Sequence, residues 1–166
     1  MRELWVEKYR PTNITEYVFR DDKQRNQVSN WVKSGAIPHL LFSGGAGTGK
    51  TTLAKVLLNE LDVDAGDIMI INASNENNVD TMRTKIQGFA SSFPFSGEFK
   101  YVLLDEADYL SQNAQAILRN MMETYSQTCR FVLTCNYPNK VIPAIHSRCQ
   151  GYHIEKLDQT EFTVRV

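Results

Sequence analysis

The chain has 166 residues, 42% of them apolar, with a formal net charge of −1. That length holds one domain with a real core and leaves no room for two full ones. Near-neutral, interspersed charge excludes a global basic field, so any nucleic-acid contact must come from a local patch or from an assembly. In chain order, the first periodic segment is a helix over about Asp22–Lys33, with Val28, Trp31 and Val32 on one side. A β-rich run, His39–Ser43, follows. The next helix runs from Lys50 to about Leu61 and turns Leu53, Ala54, Leu57, Leu58 and Leu61 inward. Ile68–Asn72 reads as a second strand, and Val79, Met82, Ile86, Phe89 and Ala90 then fall on one helical stripe. Tyr101–Leu104 is the third strand, and Ala114, Ile117, Leu118, Met121, Met122 and Tyr125 mark the helix after it. Arg130–Cys135 and Gly151–Ile154 are the last strands. Alternating β-rich and amphipathic runs predict an α/β fold, a parallel sheet wrapped by helices. Most of the strands are nearly continuous apolar runs, as expected of strands covered on both faces.

Gly44-Gly45-Ala46-Gly47-Thr48-Gly49-Lys50-Thr51 matches G-x-x-x-x-G-K-[ST] in full, between a predicted strand and a predicted helix. Glycines let the backbone curl so that successive N–H groups face phosphate oxygens. The helix N-terminus, Lys50 to Thr52, adds positive partial charge at the same place. Lys50 is the candidate for the β- and γ-phosphates, and the Thr51 hydroxyl for Mg²⁺. The expected ligands are ATP and Mg²⁺.

Tyr101-Val102-Leu103-Leu104 runs straight into Asp105-Glu106-Ala107-Asp108. An apolar strand that delivers two adjacent acids at its carboxyl end is a Walker B signature, and that end is where parallel sheets bind ligands. Asp105 is the candidate holder of Mg²⁺ and Glu106 the candidate base that polarises the attacking water. An acid-rich helix N-terminus is the competing explanation. The same tetrapeptide marks a large helicase family, but those motors need a second similar domain for which this chain has no room.

The sequence resembles the AAA+ ATPases that load sliding clamps, in particular the small subunits of replication factor C and the clamp-loader ATPase of T4-like phages. The stretches that carry the resemblance are Trp5-Val6-Glu7-Lys8-Tyr9-Arg10-Pro11, Pro38-His39-Leu40-Leu41-Phe42, Ile71-Asn72-Ala73-Ser74, Asp105-Glu106-Ala107-Asp108, Thr134-Cys135-Asn136-Tyr137 and Ser147-Arg148-Cys149. They cover nearly the whole chain in the family's order. The resemblance implies a P-loop fold with a five-stranded parallel sheet, in which the strand before Asn136 lies between the two Walker strands. Asn136 then matches the sensor that touches the γ-phosphate or orders the water; a turn asparagine before Tyr137-Pro138 is the alternative. Arg148 matches the arginine finger, which acts in trans on a neighbour's ATP. Val6, Tyr9, Arg10 and Pro11 match the segment near the adenine, and Asn72 a polar residue that restrains the catalytic glutamate.

The same resemblance implies, as partners, other clamp-loader subunits, a sliding clamp and primer–template DNA. Arg83, Lys85, Ser111 and Gln112 are the candidate DNA contacts, and Phe93 or Phe95 the clamp anchor. The family's phosphate loop often carries prolines where Gly45 and Ala46 stand. Residues 1–155 are expected to form the ATPase core and 156–166 to begin a lid region, with the rest of the lid and the collar absent from this chain. A nucleotide-holding ring subunit without turnover and a helicase-like motor are the alternative functions. Cys129, Cys135 and Cys149 form no CxxC pair and no Cys/His zinc pattern, so they read as free thiols in a reducing compartment. Met1-Arg2-Glu3-Leu4-Trp5 leads into charges rather than an apolar run. No apolar stretch approaches the roughly 20 residues of a membrane helix. The expectation is a cytoplasmic protein (host-cell cytoplasm if phage-encoded) with no membrane contact.

Overall fold

Apolar runs separated by amphipathic segments pair here into one parallel sheet. The computed structural model describes residues 22–35, 37–46, 49–75, 79–95 and 97–154. Its strands are β1 (Leu40–Ser43), β2 (Ile68–Asn72), β3 (Lys100–Asp105), β4 (Cys129–Cys135) and β5 (Gln150–His153). They lie in the order β2-β3-β4-β1-β5, all parallel. The strand that ends before Asn136 therefore does lie between the strands leading to the phosphate loop and to Asp105. The helices are α1 (Asp22–Ser34), α2 (Lys50–Glu60), α3 (Val79–Ala90), α4 (Gln112–Thr124) and α5 (Pro143–Arg148).

Side chains alternate across the pleat, which divides the core in two. Leu40, Phe42, Tyr101, Leu103 and Val132 face α1 and α2, where Val28, Trp31, Leu53, Leu57 and Leu58 meet them. Leu41, Val102, Leu104, Phe131 and Leu133 face α3, α4 and α5, where Met82, Ile86, Leu118, Met122 and Ile145 meet them. Each fully buried side chain of this size contributes about 1.5–3 kcal/mol. His39, just before β1, joins the buried set: its Nδ1 accepts the Phe131 N–H at 3.1 Å. Burial, reinforced by the nearby Arg130, lowers its pKa to about 4, so the ring packs neutral.

The predicted strands and the four longer helices stand within two residues of their expected bounds. α5 was not anticipated. It has six residues, begins with Pro143 and buries only Ile145, too little for a helical stripe to register. Among the described residues no helix is long and apolar enough to cross a membrane.

Candidate nucleotide site

β1, β3 and β4 all end at the same edge of the sheet, with Ser43 opposite Cys135 and Asn72 opposite Asp105. The phosphate loop leaves β1 there, tied by Gly44 N–H to the Cys135 carbonyl at 3.2 Å. Gly49 caps α2 with φ 87° and ψ 22°, a left-handed conformation that costs glycine little and other residues more. The first turn of α2 carries no acidic side chain, so no side chain of that turn neutralises the positive end of the helix, which suits it to an anion such as phosphate. Gly45, Ala46, Thr51 and Thr52 lie on this loop and first turn; Gly47 and Thr48 fall outside the described residues.

Lys50 is buried, and its Nζ donates to the Gly45 carbonyl at 2.8 Å, folded back over the loop. Burial pulls its pKa below the usual lysine value, while Cys135, Asp108, Asp105 and Glu106 pull it up. A cation among acids and loop amides is the arrangement a polyphosphate needs.

The Walker B acids meet the loop through hydroxyls. Thr51 Oγ1 donates to Asp105 Oδ1 at 2.9 Å, and Thr134 Oγ1 donates to the same oxygen at 2.9 Å. Thr134 also accepts the Glu106 N–H at 3.1 Å. Glu106 has φ 58° and ψ 45°. A non-glycine residue there costs about 1–2 kcal/mol, and such conformations persist where surrounding bonds fix them. Thr134 supplies one bond; the Glu106 carbonyl, accepting from Tyr109 N–H at 2.9 Å, supplies another. Asp108 serves the next strand: its Oδ2 accepts Asn136 N–H at 3.2 Å and Tyr137 N–H at 3.0 Å. These bonds fix the backbone of Asn136 beside the acid loop without using its side-chain amide. Asn72, at the end of β2, is engaged locally: its Oδ1 accepts from Ser74 N–H at 3.0 Å and Ser74 Oγ at 2.7 Å.

The donor set fits Mg²⁺. Among the described residues no group of three or more His, Cys, Asp or Glu side chains is placed to hold a metal alone. Thr51 and Asp105 instead present two hard oxygens beside the phosphate loop, as suits an ion that takes its remaining ligands from phosphates and water.

Arg148 is not part of this cluster. It ends α5 just before β5, whose first residue Gln150 pairs with Leu40 at the opposite end of β1 from the loop. Four strand steps separate these levels, about 13 Å at ~3.3 Å each. Its Nη2 donates to Glu123 Oε1 at 2.9 Å, and Glu123 Oε2 lies 3.8 Å from Arg119 Nη1. The other candidates are spread over the surface. Arg83 pairs with Asp80 at 2.9 Å, Lys85 and Gln112 are exposed, and Ser111 caps α4 by accepting Ala114 N–H at 3.1 Å. Phe93 and Phe95 are 88% and 76% exposed. Val6, Tyr9, Arg10, Pro11 and the segment 156–166 lie outside the described residues.

Sequence reasoning gave no role to Thr134, Asp108, Gln115 or Glu123. Gln115 is 1% exposed; its Nε2 donates to the Leu110 and Lys140 carbonyls at 3.0 and 2.9 Å, and its Oε1 accepts Ile142 N–H at 2.7 Å. The available signal was a glutamine on the apolar stripe, three residues before Leu118 and seven before Met122.

Strand, glycine loop and helix, with paired acids on a nearby strand end, define a P-loop nucleoside triphosphatase fold. The chain belongs to the AAA family, the ATPase family associated with various cellular activities, whose model matches residues 40–155. It is 46% identical over 159 residues to the replication factor C small subunit of Methanoculleus marisnigri, covering 94% of this chain and 49% of that protein. It is 42% identical over 167 residues to the replication factor C small subunit of Methanocella arvoryzae, covering 99% of this chain and 52% of that one. The chain thus spans about half the length of these relatives. In fold it resembles the Thermotoga maritima RuvB Holliday junction branch migration motor, with TM-score 0.70 at 20% identity over 90% of this chain and 49% of that one.

Proposed function

We propose that this chain binds Mg-ATP and hydrolyses it as one subunit of a ring that loads a sliding clamp onto primer–template DNA. The observation that carries the reading is the junction at Asp105: one carboxylate oxygen takes hydroxyls from both Thr51 and Thr134, and Thr134 in turn holds the backbone of Glu106. Phosphate loop, metal-binding acid and candidate base are thereby one bonded unit. Lys50 and the amides of 44–52 neutralise the β- and γ-phosphates. Thr51 and Asp105 would hold Mg²⁺, which would supply charge neutralisation to the phosphates. Glu106 takes the proton of the attacking water, Asn136 orders that water, and Arg148 serves the nucleotide of an adjacent subunit. The replication factor C names of the relatives support the clamp-loading context. In that context Arg83, Lys85, Ser111 and Gln112 meet DNA phosphates, and Phe93 and Phe95 meet the clamp.

The test is steady-state turnover of the full-length chain, assembled with its ring partners, clamp and primed DNA. Lys50→Ala is expected to lose ATP binding. Glu106→Gln is expected to bind ATP and turn over at least ~100-fold more slowly, the range of a lost general base. A parent that hydrolyses no faster than Glu106→Gln ends the enzymatic reading and leaves a nucleotide-holding ring subunit.

A further inference from the structure

Among the described residues, two buried charged side chains lie outside the nucleotide site. Asp67 is fully buried and Lys100 is 4% exposed. They stand where β2 and β3 begin, at the end of the sheet away from the phosphate loop. Burying charge is costly unless the charge is paired or hydrogen-bonded, so what these two hold is informative. Asp67 Oδ1 accepts the Phe95 backbone N–H at 2.7 Å. The Lys100 ammonium donates to the Phe89 carbonyl in the last turn of α3 at 3.1 Å, and to Ser92 Oγ. It also stands 4.5 Å from the Phe89 ring centroid and 5.9 Å from that of Phe95. Gly66 completes the cradle: a Cβ there would come within 2.9 Å of the Phe95 ring.

The segment so held is 91–95, and the two rings it carries remain largely in water. A connection between α3 and β3 needs neither two buried charges nor two exposed phenylalanines. Fixing apolar side chains in the free protein lowers the entropy lost when a partner receives them. Asp64, whose Oδ1 borders Gly66, and the exposed Glu98 give this end acidic flanks. Such flanks repel phosphate-bearing surfaces and leave a protein with an apolar pocket as the fitting partner. We propose that Lys100 and Asp67 are positioning residues that preorganise Phe93 and Phe95 for an apolar pocket of the sliding clamp. This rests on the clamp-loading reading above.

Two measurements on the full-length, ATP-bound chain test it: hydrogen exchange at the Phe95 amide, and affinity for the purified sliding clamp of the same source. Asp67→Ala and Lys100→Met are expected to speed Phe95 exchange and to weaken clamp binding roughly tenfold or more. Asp67→Asn keeps an oxygen acceptor and is expected to restore both. Lys100→Met keeps the buried stem and tests the same clasp if Asp67→Ala does not fold. Parental exchange in both variants overturns the clasp whatever the clamp does. Faster exchange with clamp affinity within about twofold of the parent overturns the docking role. The double variant Phe93→Ala/Phe95→Ala separates the two readings: if it binds the clamp as the parent does, the rings are not the anchor, and that failure belongs to the clamp reading rather than to the clasp.

Discussion

Thr134 joins two parts of the site that are far apart in sequence, the end of β4 and the adjacent acids Asp105 and Glu106. Its hydroxyl donates to Asp105 and accepts from the Glu106 N–H, and so holds Glu106 in a left-handed conformation that a glutamate does not prefer. Thr134→Val keeps the shape and removes both bonds. The Glu106 N–H loses its partner, which costs about 1–3 kcal/mol if no water replaces it. Turnover is expected to fall tenfold to about a hundredfold, the scale of a small misplacement of a reacting group. Urea denaturation and single-turnover hydrolysis read the two effects separately; parental turnover with reduced stability reduces Thr134 to a packing residue. The glycine loop and the acid pair were legible because each is one contiguous motif. Thr134 was not, since its partners lie 28 and 29 residues away and a threonine in an apolar strand looks like any β-former.

Elements were more legible than contacts because periodicity is local. The stripes on α1 to α4 placed Val28, Leu53, Leu57, Met82, Ile86, Leu118 and Met122 in the core, and all are buried. What periodicity does not show is how loops are fastened. Gln115, on α4, binds the turn after Asp105-Glu106 through Leu110 and the turn after β4 through Lys140 and Ile142. Its amide matches two acceptors and a donor, which no aliphatic side chain does. Gln115→Leu preserves volume and leaves those groups to water or to nothing. The expected loss is about 2–3 kcal/mol, with an unchanged urea slope and faster exchange at the Ile142 amide. A loss under about 0.5 kcal/mol means that the turns are held by their own backbone bonds.

At the scale of the whole molecule, the parallel sheet gives the domain two unlike ends. The carboxyl end of β1, β3 and β4 gathers Lys50, Thr51, Asp105 and Glu106, while the chain carries Arg148 down α5 to the amino end of β5. There Glu123 holds the guanidinium at 2.9 Å, on a partly exposed surface. That place is about four strand steps from the candidate nucleotide site, as the proposed action on an adjacent subunit requires. Arg148→Ala is therefore expected to bind ATP normally and hydrolyse it slowly in the assembled ring, and Lys50→Ala to be inactive for want of nucleotide. Mixing the two variants regenerates interfaces with an intact phosphate loop on one side and an intact arginine on the other. Turnover should rise above that of either variant alone. If the mixture stays at the level of its parts, or if an isolated monomer loses activity on Arg148→Ala, the arginine acts within its own subunit and the division of labour between the two ends of the sheet is wrong.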